Sequence, residues 1–296
     1  MRILVTGGSG FIGGRLINYL QSKNHSIIIL DKKKPSFQVD YIVGDISNPG
    51  IVDFDYGKVD FIFHIAAQSG GYFSLENSYE DALWNSVGTM NVVKLAQKLK
   101  VKKLVYTSSM AVYGNQENAI EDFGILNPIS FYGSSKLSAE YYVKLLKEHN
   151  NIPYTIFRLF ATYGAGQDLE NKHQGILSIY LDQALKNNTV KITGAKDRVR
   201  ELVHVSDVIN ALILSLNNDD TDNQIYNVTC NERLTPEIII NKIGNRLNKE
   251  LSIIEIDGYV GDQVLITGSN EKLKSLGWNT NYSLDQGIDE FIKSLE

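Results

Sequence analysis

Tyr132 and Lys136 stand four residues apart in the run Tyr-Gly-Ser-Ser-Lys-Leu-Ser-Ala-Glu. The pattern around them is helical, and a four-residue step on a helix places the phenol and the ammonium group side by side on one face. A free phenol, with a pKa of about 10, is only about 0.1% ionised at neutral pH, whereas a cation within several ångströms lowers that pKa by about 1 to 3 units. The expectation is a tyrosine made acidic by its lysine neighbour. Such a tyrosinate can take a proton from a sugar or alcohol hydroxyl while hydride leaves the same carbon. Most Tyr-x-x-x-Lys pairs merely decorate a helix surface, so this one gains its meaning from the elements around it.

Hydride transfer needs a carrier, and the chain opens on a clasp for one. Ile3, Leu4 and Val5 form a short apolar run bounded by glycine, which reads as a buried strand feeding a turn. Phe11, Ile12, Leu16, Ile17 and Leu20 follow at helical spacing, so the turn opens onto a helix N-terminus that favours a pyrophosphate. Gly7 permits the turn, Gly10 lets the backbone approach the phosphates, and Gly13 lets the helix pack closely on the strand. The second strand, Ser26 to Leu30, ends in Asp31, close to the distance of about 20 residues at which an acid meets the adenosine ribose. A carboxylate there accepts from both ribose hydroxyls and repels a 2′-phosphate, which points to NAD rather than NADP. Lys32, Lys33 and Lys34 are read as a solvated turn before Pro35.

Further strands at Tyr41–Val43, Phe61–Ile65, Lys103–Thr107 and Thr155–Phe160 alternate with helices near 79–99 and 133–149, which predicts a doubly wound α/β sheet. Ligands in such sheets bind at the carboxyl ends of strands. Those ends carry Gly44-Asp45, Ala66-Ala67-Gln68 and Ser108-Ser109; Asp45 is placed to meet the adenine edge and residues 66–68 to border the phosphates. The alternation breaks after 160. Residues 1–160 are therefore assigned to a dinucleotide-binding domain, with 203–229 returning to it, and 161–202 and 230–296 to a smaller substrate-binding domain.

Composition sets the outer bounds. The 296 residues include 43% apolar and 21% charged side chains with a net charge of −5 and no long basic block, so a nucleic-acid surface is not expected. No run of 18 apolar residues occurs and the chain enters a strand at once, which implies a cytoplasmic protein with no membrane partner. The single cysteine, Cys230, is expected to serve as a small buried hydrophobe. The scattered histidines show no ligand spacing, and no metal is expected. His64 reads as a hydrogen-bonded structural histidine, and Trp84, Tyr141 and Tyr142 as packing residues.

The serine strand continues Met110-Ala111-Val112-Tyr113-Gly114, and here the chain resembles the extended short-chain dehydrogenases/reductases, the nucleotide-sugar epimerases and dehydratases. The likeness runs nearly the whole length, through Thr6 to Gly13, Gly44-Asp45, His64 to Gln68, Asn85 with Gly88 to Val92, the serine strand, Tyr132 with Lys136, and Arg200 to Val205. It implies a Rossmann-type fold in which Ser109 hydrogen-bonds the reacting hydroxyl, Tyr132 is the acid/base, Lys136 binds the nicotinamide ribose, and Asn85 and Ile46 contact the cofactor. Arg200, whose guanidinium fork suits phosphate oxygens, would grip the substrate pyrophosphate, and Gly175 would border the substrate. Helix 133–149 carries two apolar stripes, Leu137, Tyr141, Leu145 and Ala139, Val143, Leu146. One sheet face needs only one of them, so a homodimer through the helices near 79–99 and 133–149 is expected.

Within that family the sequence favours one reaction. Dehydratases and decarboxylases carry an acid close behind the catalytic serine or threonine, where this chain has Met110 and Ala111. Reductases of the deoxysugar type are expected to favour NADP, which Asp31 opposes. Epimerisation at C4 of a nucleotide sugar, through a 4-keto intermediate, remains; an NAD-dependent dehydrogenase or reductase with exchangeable cofactor is the alternative, ahead of a catalytically silent scaffold. Two departures stand out. Arg158-Leu159-Phe160-Ala161 lacks an expected amide at Ala161, and Tyr259-Val260-Gly261-Asp262 lacks an expected phosphate-binding cation at Tyr259. Lys172, His173, Lys196 or Arg198 could replace that cation, and Leu265 and Ile266 are expected near the sugar pocket.

Overall fold

The structure is a computed structural model that describes residues 1–171 and 175–296. Its strands are β1 (Arg2–Thr6), β2 (Ser26–Asp31), β3 (Asp40–Val43), β4 (Phe61–His64), β5 (Lys103–Ser109), β6 (Gln116–Ala119), β7 (Tyr154–Leu159), β8 (Ala161–Tyr163), β9 (Thr189–Thr193), β10 (Leu202–His204), β11 (Gln224–Val228), β12 (Ser252–Ile256) and β13 (Ile266–Gly268). The helices are α1 (Phe11–Ser22), α2 (Gly71–Glu76), α3 (Ser78–Ala82), α4 (Gly88–Leu99), α5 (Phe131–Asn150), α6 (Ile176–Lys186), α7 (Val205–Leu214), α8 (Pro236–Leu247), α9 (Glu271–Lys274) and α10 (Leu284–Lys293). Among the described residues no helix is long and apolar enough to cross a membrane.

Seven strands form one parallel sheet in the order β11-β7-β5-β4-β1-β2-β3. Successive side chains on a strand point to opposite faces, and here both faces are covered. Ile3 and Val5 of β1 enter the core cluster on one face, with Leu16, Ile17 and Leu20 of α1 and Val208, Ile209 and Leu212 of α7. Leu4 enters the cluster on the other, with Val92 and Leu95 of α4 and Val143 and Leu146 of α5. This is why the strands read as unbroken apolar runs. Each such side chain stabilises the fold by about 1.5 to 3 kcal/mol through burial, and Leu4→Ala is expected to cost about 2 to 5 kcal/mol. A third cluster gathers α6, α8, α10 and β9 around Leu181, Ile192, Ile240 and Phe291.

The strand order reverses between β1 and β4, and a crevice opens there at the carboxyl ends. Two glycines shape its edge. Gly7 has φ +73°, and a Cβ on it would sit 2.5 Å from the Ala66 nitrogen. A Cβ on Gly13 would lie 2.2 Å from the Gly7 carbonyl oxygen, so only glycine lets α1 approach the turn.

The helix expected over 79–99 is interrupted. Residues Leu83–Val87 form a π-helical turn between α3 and α4. The Thr89 hydroxyl donates to the Asn85 carbonyl at 2.5 Å there, a side-chain bond that spacing alone does not reveal. Helix α5 starts where Ser130 Oγ accepts from the Gly133 N–H at 3.1 Å, and stops where Asn151 turns left-handed at φ +54°. Its two stripes differ in fate. Ala139, Val143 and Leu146 are buried, whereas Tyr141 is 56% and Leu145 43% exposed. Tyr141 is therefore not a packing residue within this chain; Tyr142, one position on, packs against the core.

Candidate active site

A cleft of about 1190 Å³ runs along the carboxyl ends of the large sheet and under the residues of the third cluster. Pockets for one small molecule span about 300 to 1,000 Å³, and this cleft lies just above that range. Gly7, Gly10, Phe11, Ile12, Gly13, Asp31, Ile46, Ala66, Ala67 and Gln68 line one end. Gly10 caps α1 without a side-chain hydrogen bond, which leaves the N–H groups of the first turn for an anion. Asp31 is fixed by two backbone donors, Ser9 N–H at 3.0 Å and Lys33 N–H at 2.9 Å. Lys32 does not stand free beside it: its Nζ lies 3.1 Å from Asp45 and 3.5 Å from the centroid of the Trp84 ring. The donor set fits a dinucleotide whose ribose carries no phosphate.

Two expected cofactor contacts, Asp45 and Asn85, are held by partners within the protein. Asp45 is absent from the cleft lining and is engaged by Lys32 and by the Ser47 N–H at 2.9 Å. Asn85 sits 1% exposed behind the wall, where its Oδ1 accepts from the Gln68 N–H at 2.9 Å and its Nδ2 donates to Asp81 and Ser135, each at 3.1 Å. Its part is to hold the Gln68 loop. Trp84 packs on Phe73, with ring centroids 6.2 Å apart, and also forms part of the cleft wall.

Ser109, Tyr132 and Lys136 meet in the middle of the cleft. Ser109 ends β5, where its Oγ accepts from the Ala111 N–H at 3.2 Å, and it lines the cleft with the Tyr132 side chain. The Tyr132 N–H donates to Ser74 Oγ at 3.1 Å, which ties the start of α5 to α2. Lys136 Nζ donates to the Thr107 carbonyl at 2.7 Å and lies 4.4 Å from the Tyr106 ring centroid.

The expectation of an acidic tyrosine is corrected here. Burial pushes the Tyr132 phenol up to about 12, with the nearby Ser109 hydroxyl opposing and the Asp81 charge adding to the rise. Burial also pulls Lys136 down to about 7, against the favourable charges of Asp81 and Glu140. Desolvation of both groups outweighs their neighbourhood in the protein alone, because the Lys136 head is directed at a backbone carbonyl of β5.

Two buried carboxylates behind this centre escape notice in the sequence. Asp81 is fully buried and accepts from Ser135 Oγ at 2.6 Å, one residue from Lys136. Burial raises it to about 6, against Ser135 and Lys136. Glu140 takes a two-pronged contact from Arg158, Nε to Oε1 at 2.9 Å and Nη2 to Oε2 at 2.7 Å, and accepts from Ser108 Oγ at 2.6 Å. This pair fastens α5 to β5 and β7. The only signal for it was the four-residue step from Lys136 to Glu140. His64 is buried between Thr6 and Thr89, with ring nitrogens 2.7 and 2.9 Å from their hydroxyls, and burial with the Lys136 charge pulls it down to about 3. It is a neutral structural group.

The other end of the cleft carries arginines. Arg200 lines it, with Nη2 at 3.0 Å from Asp262 and Nη1 donating to the Val199 carbonyl at 2.9 Å. Arg198 lines it too, at 2.6 Å from the same Asp262. Lys196 is exposed and outside the lining, and Lys172 and His173 fall outside the described residues. Gly175 and Ala161 are on the wall. Leu265 and Ile266 are not: a bridge from Val199 to Leu265 and the pairing of β13 with β6 draw that run into the protein, and Gly261 to Gln263 border the cleft in its place. Cys230 is half-buried, its thiol pushed up to about 12 by burial.

Comparison with known proteins agrees with this geometry. The model of the NAD dependent epimerase/dehydratase family matches residues 3–229. A Methanocaldococcus jannaschii protein with the provisional name UDP-glucose 4-epimerase is 31% identical over 299 residues, covering 98% of this chain and 97% of that protein. Two solved structures superpose with a TM-score of 0.92 at 26% identity. One is the UDP-glucose 4-epimerase of Thermotoga maritima with UDP-glucose, covering 100% of both chains. The other is the Thermus thermophilus UDP-glucose 4-epimerase in complex with NAD, covering 99% of this chain and 98% of that one.

Proposed function

Because this chain belongs to the NAD dependent epimerase/dehydratase family, an enzyme family of the extended short-chain dehydrogenase/reductase type, we propose that it inverts C4 of a nucleotide-activated sugar through a transient 4-keto sugar. The observation that carries this reading is the convergence of Ser109, Tyr132 and Lys136 in a cleft with a dinucleotide turn at one end and two arginines at the other. Ser109 Oγ orients the sugar hydroxyl, and Tyr132 Oη receives its proton and later returns it. Lys136 and Thr107 fix the cofactor's ribose side of the centre. NAD, when bound, supplies the hydride acceptor and donor, and its oxidised ring adds a positive charge that favours the phenolate. Gly7, Gly10, Phe11, Ile12, Gly13, Asp31, Ile46 and residues 66–68 would hold it.

Met110 and Ala111, which follow Ser109 on the cleft wall, bring no carboxyl group. That absence favours epimerisation over elimination of water or decarboxylation. Residues 161–202 and 230–296 we assign to the substrate lobe, and self-association to the exposed stripe of α5 with Tyr79 of α3, which is 74% exposed.

Incubation of the NAD-loaded protein with a panel of UDP- and dTDP-sugars in deuterated buffer, followed by proton NMR, tests the reading. The expected result is a C4 stereoisomer that keeps its C4 proton. Steady release of free NADH would instead identify a dehydrogenase with exchangeable cofactor.

A further inference from the structure

An ammonium group carries three N–H donors, and the Lys136 head makes one hydrogen bond among the described residues, to the Thr107 carbonyl at 2.7 Å. Lys136 is only 2% exposed, so water does little for the rest of its charge. What the head does meet is a ring. The Tyr106 centroid lies 4.4 Å from Nζ, and an aromatic face attracts a cation more strongly when the cation is desolvated. Tyr106 and Thr107 are consecutive on β5, so one strand offers the lysine head a carbonyl and the neighbouring ring together.

The ring is held steady and apart from competing charge. Tyr106 is buried, and its partner across β4 is His64, in register with it and stacked at 5.3 Å between centroids and 28° between planes. The tautomer of His64 follows from its own neighbours. Thr89 gives its hydroxyl proton to the Asn85 carbonyl at 2.5 Å, so it can only accept from the His64 Nε2–H. Thr6, which accepts from the Ala66 N–H at 3.3 Å, donates to the bare Nδ1. An imidazole locked in this way is neutral and adds no charge beside Tyr106 to repel Lys136. The Tyr106 hydroxyl, by contrast, is buried without a hydrogen-bond partner. The ring, and not the hydroxyl, is the part in use.

We propose that Tyr106 is a positioning residue for the active centre: its ring face, steadied by neutral His64, binds the Lys136 ammonium and keeps it at the Thr107 carbonyl. The charges that face Lys136 are Asp81 from α3 and Glu140 from its own helix, while His64 on β4, Tyr106 on β5 and Tyr132 on α5 are neutral. The proposal rests on Lys136 belonging to the active centre, and not on which sugar carbon is inverted.

Replacement of Tyr106 by a trifluorinated phenylalanine, set against Tyr106→Phe, tests it at nearly constant shape, because fluorine withdraws the negative charge of the ring face without opening a cavity. In NAD-loaded protein labelled with 13C at lysine Cε, the Lys136 signal, assigned from the Lys136→Met spectrum, is titrated by NMR. Tyr106→Phe should titrate with wild type and keep or raise Tm, since it removes only an unpaired hydroxyl. The trifluorinated ring should let Lys136 lose its proton about 3- to 30-fold more easily, a midpoint about 0.5 to 1.5 pH units lower. Equal midpoints in the fluorinated and Tyr106→Phe proteins would reduce Tyr106 to a packing residue and overturn the proposal. A midpoint in Tyr106→Phe as low as in the fluorinated protein would overturn it too, by assigning the effect to the hydroxyl. The titration needs no turnover, so failure of C4 inversion with the midpoints as expected would fault the reaction assignment alone.

Discussion

Asp81→Asn is the variant in which the buried charges of the active centre can be weighed. The substitution keeps shape and loses one negative charge. Asp81 accepts from both Asn85 Nδ2 and Ser135 Oγ, and an asparagine has one acceptor fewer. Ser135 can absorb the difference, because its hydroxyl also reaches the Tyr132 carbonyl at 3.0 Å and can donate there while accepting from the new side-chain amide. The fold should therefore persist. Lys136 stands at about 7, held up by Asp81 and Glu140 against burial; its other neighbours are neutral His64, Tyr106 and Tyr132 and the Thr107 carbonyl. Removing an opposite charge that acts through the adjacent Ser135 should lower Lys136 by about one unit, the small end of the usual range. The protonated share at pH 7 then drops from about half to about a tenth. If turnover follows protonated Lys136, the variant is about fivefold slower at pH 7 and within about twofold of wild type at pH 5.5. The assay is a pH profile of kcat on a turned-over nucleotide sugar. A basic limb at the same pH in both proteins would refute the role of Asp81 as counter-charge.

Other perturbations address the remaining parts. Tyr132→Phe should retain NAD binding and lose about 100- to 10,000-fold in kcat, checked by calorimetry and turnover side by side. Gly13→Ala places a Cβ 2.2 Å from the Gly7 oxygen and should abolish NAD binding and lower Tm, measured by thermal unfolding with and without NAD. His64 has its folded pKa depressed to about 3, so its contribution is full above about pH 6.5 and is lost as pH falls. The stability gap between wild type and His64→Gln in urea unfolding should accordingly narrow between pH 6.5 and pH 4; a constant gap would contradict it. Tyr141→Lys with Leu145→Lys should yield monomers by light scattering if the exposed α5 stripe is an interface.

Local patterning made the glycine turn, Asp31, and the Ser109–Tyr132–Lys136 set legible, because each depends on spacing within one strand, turn or helix. The doubly wound sheet was legible for the same reason: strands buried on both faces have a distinctive unbroken apolar run. What spacing does not reveal depends on distant partners. Whether Tyr132 is acidic is decided by its burial, and that burial reverses the direction inferred from Lys136 alone. Asn85 and Asp45 sit near the cleft but are claimed by Gln68 and Lys32. Leu265 and Ile266 were drawn inward by pairing with β6, which lies well over a hundred residues earlier. The Glu140–Arg158 and Arg198–Asp262 pairs likewise join segments that no local pattern relates.

The central claim is that Tyr132 becomes a working base when the cofactor's positive charge joins Lys136 in the cleft. Tyrosine labelled with 13C at Cζ, with Tyr132 assigned from the Tyr132→Phe spectrum, reports phenol ionisation directly by NMR titration. The Tyr132 signal should stay protonated to about pH 12 in the protein alone and ionise about 1 to 3 units lower with NAD⁺ bound. A Tyr132 resonance that titrates at the same pH with and without NAD⁺ would contradict the account.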